Sequence, residues 1–177
     1  MSFVEKKLQE QTVYEGKIFT VRHAEVELPN GNRGFRDSIE HHGGAGILPL
    51  DAEGNIYLVR QYRFGVGKEL LEIPAGKLEP DEDPLETARR ELTEEIGFLP
   101  KTVTSLGHME LSPAYLGEIT YLYLGRDLTP CKAELDEDEF LEVVKMPFAD
   151  ALQGVLDGTI TDGKTQVAIL KTAQILG

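Results

Sequence analysis

The chain has 177 residues, with 18 Lys and Arg against 31 Asp and Glu and a net charge of −13. That length suits one domain with a sizeable core, and 41% apolar with 28% charged residues is a soluble globular composition. The charge argues against sequence-independent binding to nucleic acid or an anionic membrane.

No apolar run approaches the roughly 18 residues of a membrane span. The start, MSFVEKKLQEQ, lacks a signal-peptide apolar core. Cys131 is the only cysteine, so a reducing, cytoplasmic setting is expected. The acids are uneven: residues 72–98 hold nine and residues 134–142 hold six. A merely solvated surface would spread them, so the two segments are expected to share a purpose.

In chain order, residues 1–10 read as a short helix or a loose arm. From Thr12 to Glu40, Val13, Ile18, Val21, Ala24, Val26 and Leu28 alternate roughly with polar residues, the period of strands. Pro29-Asn30-Gly31-Asn32 is a turn, because Asn-Gly accepts positive φ cheaply. Residues 1–42 read as a small antiparallel sheet, either packed on a partner subunit or forming an edge of the same domain. His41 and His42 are adjacent, and neighbours on an extended chain point to opposite sides, so an ordinary strand-end role is expected for them.

Gly46 to Leu50 and Ile56 to Val59 are apolar runs around the turn 51–55, and together they suggest a hairpin of buried strands. Arg60, Tyr62 and Arg63 follow directly. Two arginines and a tyrosine at a strand end suit phosphate binding and base stacking, and equally a solvated strand end. Glu69 to Pro74 is a further short strand, and Gly76 lets the backbone turn sharply or approach a ligand.

Asp83-Pro84 marks a helix start, with Glu86 three residues on as in a capping box. Leu85, Ala88, Leu92 and Ile96 share one apolar face. Gly97 suits a left-handed cap and Pro100 prevents resumption. Glu91 and Glu95 are four apart with Glu94 beside them, at the border of the apolar stripe. Like charges there are costly without a cation, and hard divalent cations take oxygen ligands. A solvated acidic face fits the spacing equally well. Beyond the helix come strands near 102–107, 119–124 and 140–146, loops at 108–118 and 128–139, and helices at 148–156 and 161–175. Strands and helices without strict alternation predict a mixed sheet with helices on both faces.

The stretch from Gly76 to Phe98 resembles the Nudix box, G-x5-E-x7-R-E-U-x-E-E-x-G-U with U a bulky apolar residue. Gly76, Glu82, Arg90-Glu91, Leu92, Glu94-Glu95, Gly97 and Phe98 fill every fixed position. The resemblance implies an α/β fold, a Nudix-type α/β/α sandwich with a mixed sheet over 43–177, beside an N-terminal antiparallel sheet over 1–42 that serves dimerisation. It implies hydrolysis of a nucleoside diphosphate linked to another group, with Mg²⁺ or Mn²⁺. Glu91 and Glu95 would be principal metal ligands, Glu94 would assist, and the Ala75 carbonyl would complete a site. Arg90 would orient a box glutamate and Glu82 would support from outside.

The lead-in Leu70 to Glu79, Gln61-Tyr62-Arg63, and Pro113 sixteen residues after Gly97 are similar to ADP-ribose pyrophosphatases, as is Glu118 shortly after Ser112-Pro113. Ala114-Tyr115 and His42 depart from that group's usual glycine and proline. The resemblance makes Arg36, Arg60, Tyr62, Arg63, Pro113 and Glu118 substrate contacts. It also places the proton acceptor in the second acidic loop, at Glu137 first and Glu139 second. Products would be AMP and ribose 5-phosphate, from a homodimer. A GDP-mannose or other nucleotide-sugar pyrophosphatase is the alternative in the same class, and a non-catalytic nucleotide-binding module is the alternative in another.

Overall fold

A computed structural model describes residues 2–135 and 139–177. The chain divides into two compact units, one of Met1–Gly43 with Glu110–Ile119 and one of Gly44–Met109 with Thr120–Gly177.

The first unit is a three-stranded antiparallel sheet in the order β1 (Lys6–Glu15), β2 (Thr20–Glu27), β3 (Arg33–Glu40). Residues 6–10, expected as part of a short helix or a loose arm, therefore belong to a strand. Lys6 pairs with Glu27 and Glu15 with Thr20, with the register shifting between Lys7 and Gln9 and between Thr12 and Tyr14. Lys, Gln and Glu favour helix only weakly, and a ladder on one continuous partner strand outweighs that preference. Gly31, at φ 83°, closes the turn between β2 and β3. Loop 111–118 joins this sheet: Ile39 N–H donates to Tyr115 O (2.7 Å) and Gly117 N–H to Ile39 O (2.9 Å).

The second unit is built around β4 (Gly44–Pro49), in which every residue is buried. β4 does not form a hairpin with β5 (Asn55–Arg63); the two share only the Leu50–Ile56 bridge. Instead β4 pairs antiparallel with β7 (Ala75–Lys77) and parallel with β9 (Ile119–Pro130), in a sheet ordered β7-β4-β9-β8 with β8 at Phe98–Glu110. β5 lies between β6 (Lys68–Glu72) and β10 (Leu141–Pro147) in a second, antiparallel sheet.

A strand that is apolar on both faces needs cover on both faces, and a central position supplies it. Ala45 and Ile47 pack with Ala88 and Leu92 of α1 (Pro84–Ile96). Leu48 joins the opposite cluster, with Ala151 of α2 (Phe148–Asp157) and Ala168 and Ile169 of α3 (Gly163–Leu176). Helix, sheet and helix thus form the expected α/β/α sandwich with a mixed sheet.

Two polar contacts fix α3 against the start of the glutamate-rich stretch. Asp162 caps α3 by accepting from Thr165 N–H (2.9 Å), and Thr165 Oγ1 accepts Ile73 N–H (2.8 Å). Glu72, 1% exposed, accepts from Arg63 Nε (2.6 Å) and Nη2 (2.9 Å) and pairs with Lys164. Burial alone would raise the Glu72 pKa; Arg63 and Lys164 outweigh it and hold the group below its usual range.

A depressed folded pKa gives stability that is present above the unfolded value, about 4.3, and lost as pH falls through the folded value. Glu72→Ala should lower unfolding stability by about 3 kcal/mol at neutral pH. It should also flatten the acid limb of the stability profile, measured by urea unfolding between pH 7 and pH 3.

Candidate active site

The site grows from the start of α1. Asp83 accepts Leu85 N–H (2.8 Å) and Pro84 takes the first helical position, as the sequence indicates. Glu86 pairs with Arg89 (3.2 Å). The buried face of α1 is Thr87, Ala88, Leu92 and Glu95. Leu85 and Ile96 are only partly buried, and Glu95, 4% exposed, takes a core position. It is more deeply sheltered than its place at the edge of the apolar stripe suggested.

Gly76 explains how the helix approaches so closely. A Cβ there would fall 1.8 Å from Glu91 Oε1 and 2.2 Å from its Cδ. The Glu91 carboxylate therefore lies directly over the β7 backbone, and only glycine leaves the space. The close approach permitted by Gly76 is to a carboxylate of the same chain.

Arg90 is the cation among these acids. Its Nε and Nη2 donate to Glu82 (3.1 and 3.3 Å), and its Nη1 donates to Glu91 Oε1 (2.8 Å) and Glu94 Oε2 (3.1 Å). Glu82 also accepts Glu79 N–H (3.1 Å). The Arg90 hydrogen bonds hold the Glu82 pKa down at about 2.

Glu91 and Glu95 move the other way. Burial raises Glu91 despite Arg90. Burial, then the charges of Glu91 and Glu139, push Glu95 up to about 9, against the Ala75 N–H and the Arg63 charge. Glu95 Oε2 is buried with no hydrogen-bond partner.

A family model described as the NUDIX domain matches residues 40–165. The chain belongs to the Nudix family. A second model, described as the nucleoside diphosphate sugar hydrolase N-terminal domain, matches residues 5–41 of this Nudix chain. Its relatives include the ADP-ribose pyrophosphatase of Bacillus subtilis (strain 168), 39% identical over 95% of this chain and 92% of the relative. The methanol dehydrogenase activator of Bacillus methanolicus is 37% identical over 94% of this chain and 91% of the relative. Among solved structures, an ADP compounds hydrolase aligns with a TM-score of 0.85 and 26% identity, over 97% of this chain and 94% of that one.

Nudix hydrolases work with a divalent cation, and the residues of this chain fit one. Among the described residues, no three His, Cys, Asp or Glu side chains are already gathered as a cage. Arg90 draws Glu91 and Glu94 toward itself. Yet Glu95 offers a buried, unbonded oxygen beside the half-buried Glu91 carboxylate, and an all-oxygen donor set suits a hard cation. Glu91, Glu95 and Glu94 could hold it.

The remaining expected site residues fall in both units. Arg60 pairs with Glu142 (3.3 Å), Tyr62 is exposed, and Arg63 is engaged by Glu72, all at the end of β5 in the second unit. In the first unit, Arg36 pairs with Glu5 and donates to Phe35 O (2.8 Å). Arg36 and Pro113 line a cavity of about 480 Å³ with Ile39, His41 and Tyr115. Glu118 Oε1 stands 3.9 Å from His41 Nδ1. Glu137 lies outside the described residues, whereas the charge of Glu139 acts on both Glu91 and Glu95.

Sequence reasoning passed over Glu72 and Lys164, although an acid inside the apolar run Leu70 to Ile73 was a usable signal. Gly76→Ala should displace the Glu91 carboxylate and weaken Mn²⁺ binding by about tenfold or more. Titration followed by electron paramagnetic resonance measures this, with circular dichroism to confirm the fold.

Proposed function

We propose that this Nudix hydrolase cleaves the pyrophosphate bond of ADP-ribose to AMP and ribose 5-phosphate, with Mg²⁺ as its cation and Mn²⁺ able to substitute. The observation that carries the reading is the sheltered Glu91–Glu95 pair, with Glu91 lying over Gly76, together with likeness to an ADP-ribose pyrophosphatase across nearly the whole chain.

The chemistry adds one water across the anhydride. The water oxygen bonds to one phosphorus, the bridging P–O bond breaks, and both products leave as phosphate monoesters. When bound, the cation polarises phosphoryl oxygens and makes water easier to deprotonate. Arg90 orients the box: it fixes Glu82 at the loop and steers Glu91 and Glu94 from the helix. Arg60, Tyr62 and Arg63 of the second unit, and Arg36, Pro113 and Glu118 of the first, are proposed substrate contacts. Guanidinium groups match phosphate oxygens and a tyrosine ring stacks on a base.

We assign the proton acceptor to the second acidic loop, to Glu137 or Glu139. The charge of Glu139 reaches Glu91 and Glu95, so it stands beside Glu137 as a candidate. The single cysteine suits a cytoplasmic setting. The chain is proposed to act as a homodimer through segment 1–42, where Val13, Tyr14, Ile18 and Phe35 are large, apolar and exposed. Light scattering should then give twice the chain mass.

A panel of nucleoside diphosphate sugars with Mg²⁺ tests the activity by release of phosphate monoester. ADP-ribose should be turned over fastest, and no turnover of any member would end the enzyme reading. Faster cleavage of GDP-mannose would change only the substrate. Glu95→Gln should lower kcat by about a hundredfold or more. Glu139→Gln should lower kcat with little change in KM, and loss in Glu137→Gln instead would move the acceptor there.

A further inference from the structure

A long, flexible side chain binds a ligand better when it is held in place beforehand and still has donors to spare. Arg63, the last residue of β5, is held at both ends. Val66 N–H (3.1 Å) and Gly67 N–H (2.9 Å) donate to its carbonyl in the tight turn before β6, where Gly67 takes φ 67°. Its guanidinium donates through Nε (2.6 Å) and Nη2 (2.9 Å) to the two oxygens of Glu72.

This grip is side-on. It occupies one edge of the planar fork and leaves Nη1 out of both bonds. Arg63 keeps 41% of its side chain exposed, whereas Glu72 keeps 2%. The carboxylate is thus a buried cradle, and the guanidinium on it still has surface in solvent. Arg60 on the same strand has no such support. It meets one oxygen of Glu142, an exposed partner, and exposed ion pairs hold a side chain only weakly.

A carboxylate that belonged to Arg63 alone would cancel its charge toward an incoming anion. Glu72 is shared instead. Lys164 of α3 pairs with it and reaches Asp162 as well (3.1 Å). Asp162 also accepts from Thr165 Oγ1 (2.6 Å), and Thr165 Oγ1 accepts the N–H of Ile73, the residue after Glu72. The cradle is therefore fastened to α3 just before Ala75 and Gly76, the backbone on which Glu91 lies.

We propose that Glu72 is a positioning residue: its bidentate hold, shared with Lys164, sets the unused edge of Arg63 for a phosphate oxygen of the substrate. This rests on the hydrolase reading above for its effect on turnover, although the hold itself does not.

Glu72→Gln keeps the shape and one acceptor but turns the second oxygen into a donor, so the bidentate hold is lost. It should lower kcat/KM for ADP-ribose with Mg²⁺ by about tenfold to a hundredfold. Arg63→Ala should lower it by about a hundredfold or more. The double variant should be no worse than Arg63→Ala, because Glu72 acts through Arg63. Millimolar guanidinium should restore part of the turnover of Arg63→Ala and none in the double variant, which lacks the cradle. Asp51→Asn is the control for a merely structural loss. It weakens another sheltered carboxylate of this unit, paired with Lys145 (2.9 Å), and should leave kcat/KM at the parental value. In the parent, the Arg63 Nε proton should exchange slowly with water by nuclear magnetic resonance, and Glu72→Gln should speed it.

Additive losses in the double variant would overturn the positioning role, as would an equal loss of kcat/KM in Asp51→Asn. If Glu72→Gln does not fold, Arg63→Ala decides: guanidinium should restore turnover and methylammonium should not, since only a planar fork meets both oxygens. Equal restoration by both ions, or by neither, would overturn the role. A fast-exchanging Nε proton in the parent would overturn the hold. If the parent cleaves no nucleoside diphosphate sugar, the hydrolase reading fails, and the Nε exchange still decides whether Glu72 holds Arg63.

Discussion

Glu95 has 4% of its surface exposed, one oxygen without a partner, and a second, half-buried carboxylate four residues away. A carboxylate in that position is disfavoured as an anion both by lost hydration and by its neighbour. Much of the local structure follows from the need to bring it there and keep it there. Gly76 gives up its side chain so that Glu91 can lie on β7. Arg90 offsets Glu82, Glu91 and Glu94, and its hydrogen bonds go to those three rather than to Glu95. The arrangement is costly for the protein alone and suits a protein that carries a cation, which is why the site is chemical rather than structural.

The second layer of charge has the opposite balance. Glu72 is buried like Glu95, but it has a bidentate arginine and a lysine, so it stays ionised and contributes to stability. Arg63 also lowers the pKa of Glu95 from this layer. Two buried glutamates in one unit therefore have different tasks, distinguished by their partners rather than by their exposure.

The box, the capped helix and the α/β/α arrangement were legible in the sequence, because fixed spacing and helical period are local signals. The strand at residues 6–10 was not, since cross-strand pairing with β2 overrides weak local preference there. The pairing of β4 was hidden too. Two apolar runs flank a turn, which invites a hairpin, but the true partners of β4 lie far along the chain in β7 and β9. The Glu72–Lys164 pair spans 92 residues, so the acid within an apolar run was visible but its partner was not. The depth of Glu95 was equally out of reach, because spacing showed which helix face it borders but not how closely β7 approaches. That approach depends on Gly76, whose glycine was visible while its neighbour was not.

The buried Glu95 carboxyl is a cost that a cation offsets. Its folded pKa, raised to about 9, lies above the unfolded value near 4.3, so the metal-free fold loses stability as pH rises between them. Glutamine carries no such penalty. The direct measurement is the thermal unfolding midpoint at pH 8 of the parent and of Glu95→Gln, each in chelator and in Mg²⁺. The variant should unfold at the higher temperature in chelator, and Mg²⁺ should raise the parent far more than the variant. A parent that is more stable than the variant in chelator, or equal gains from Mg²⁺ in both, would contradict the account.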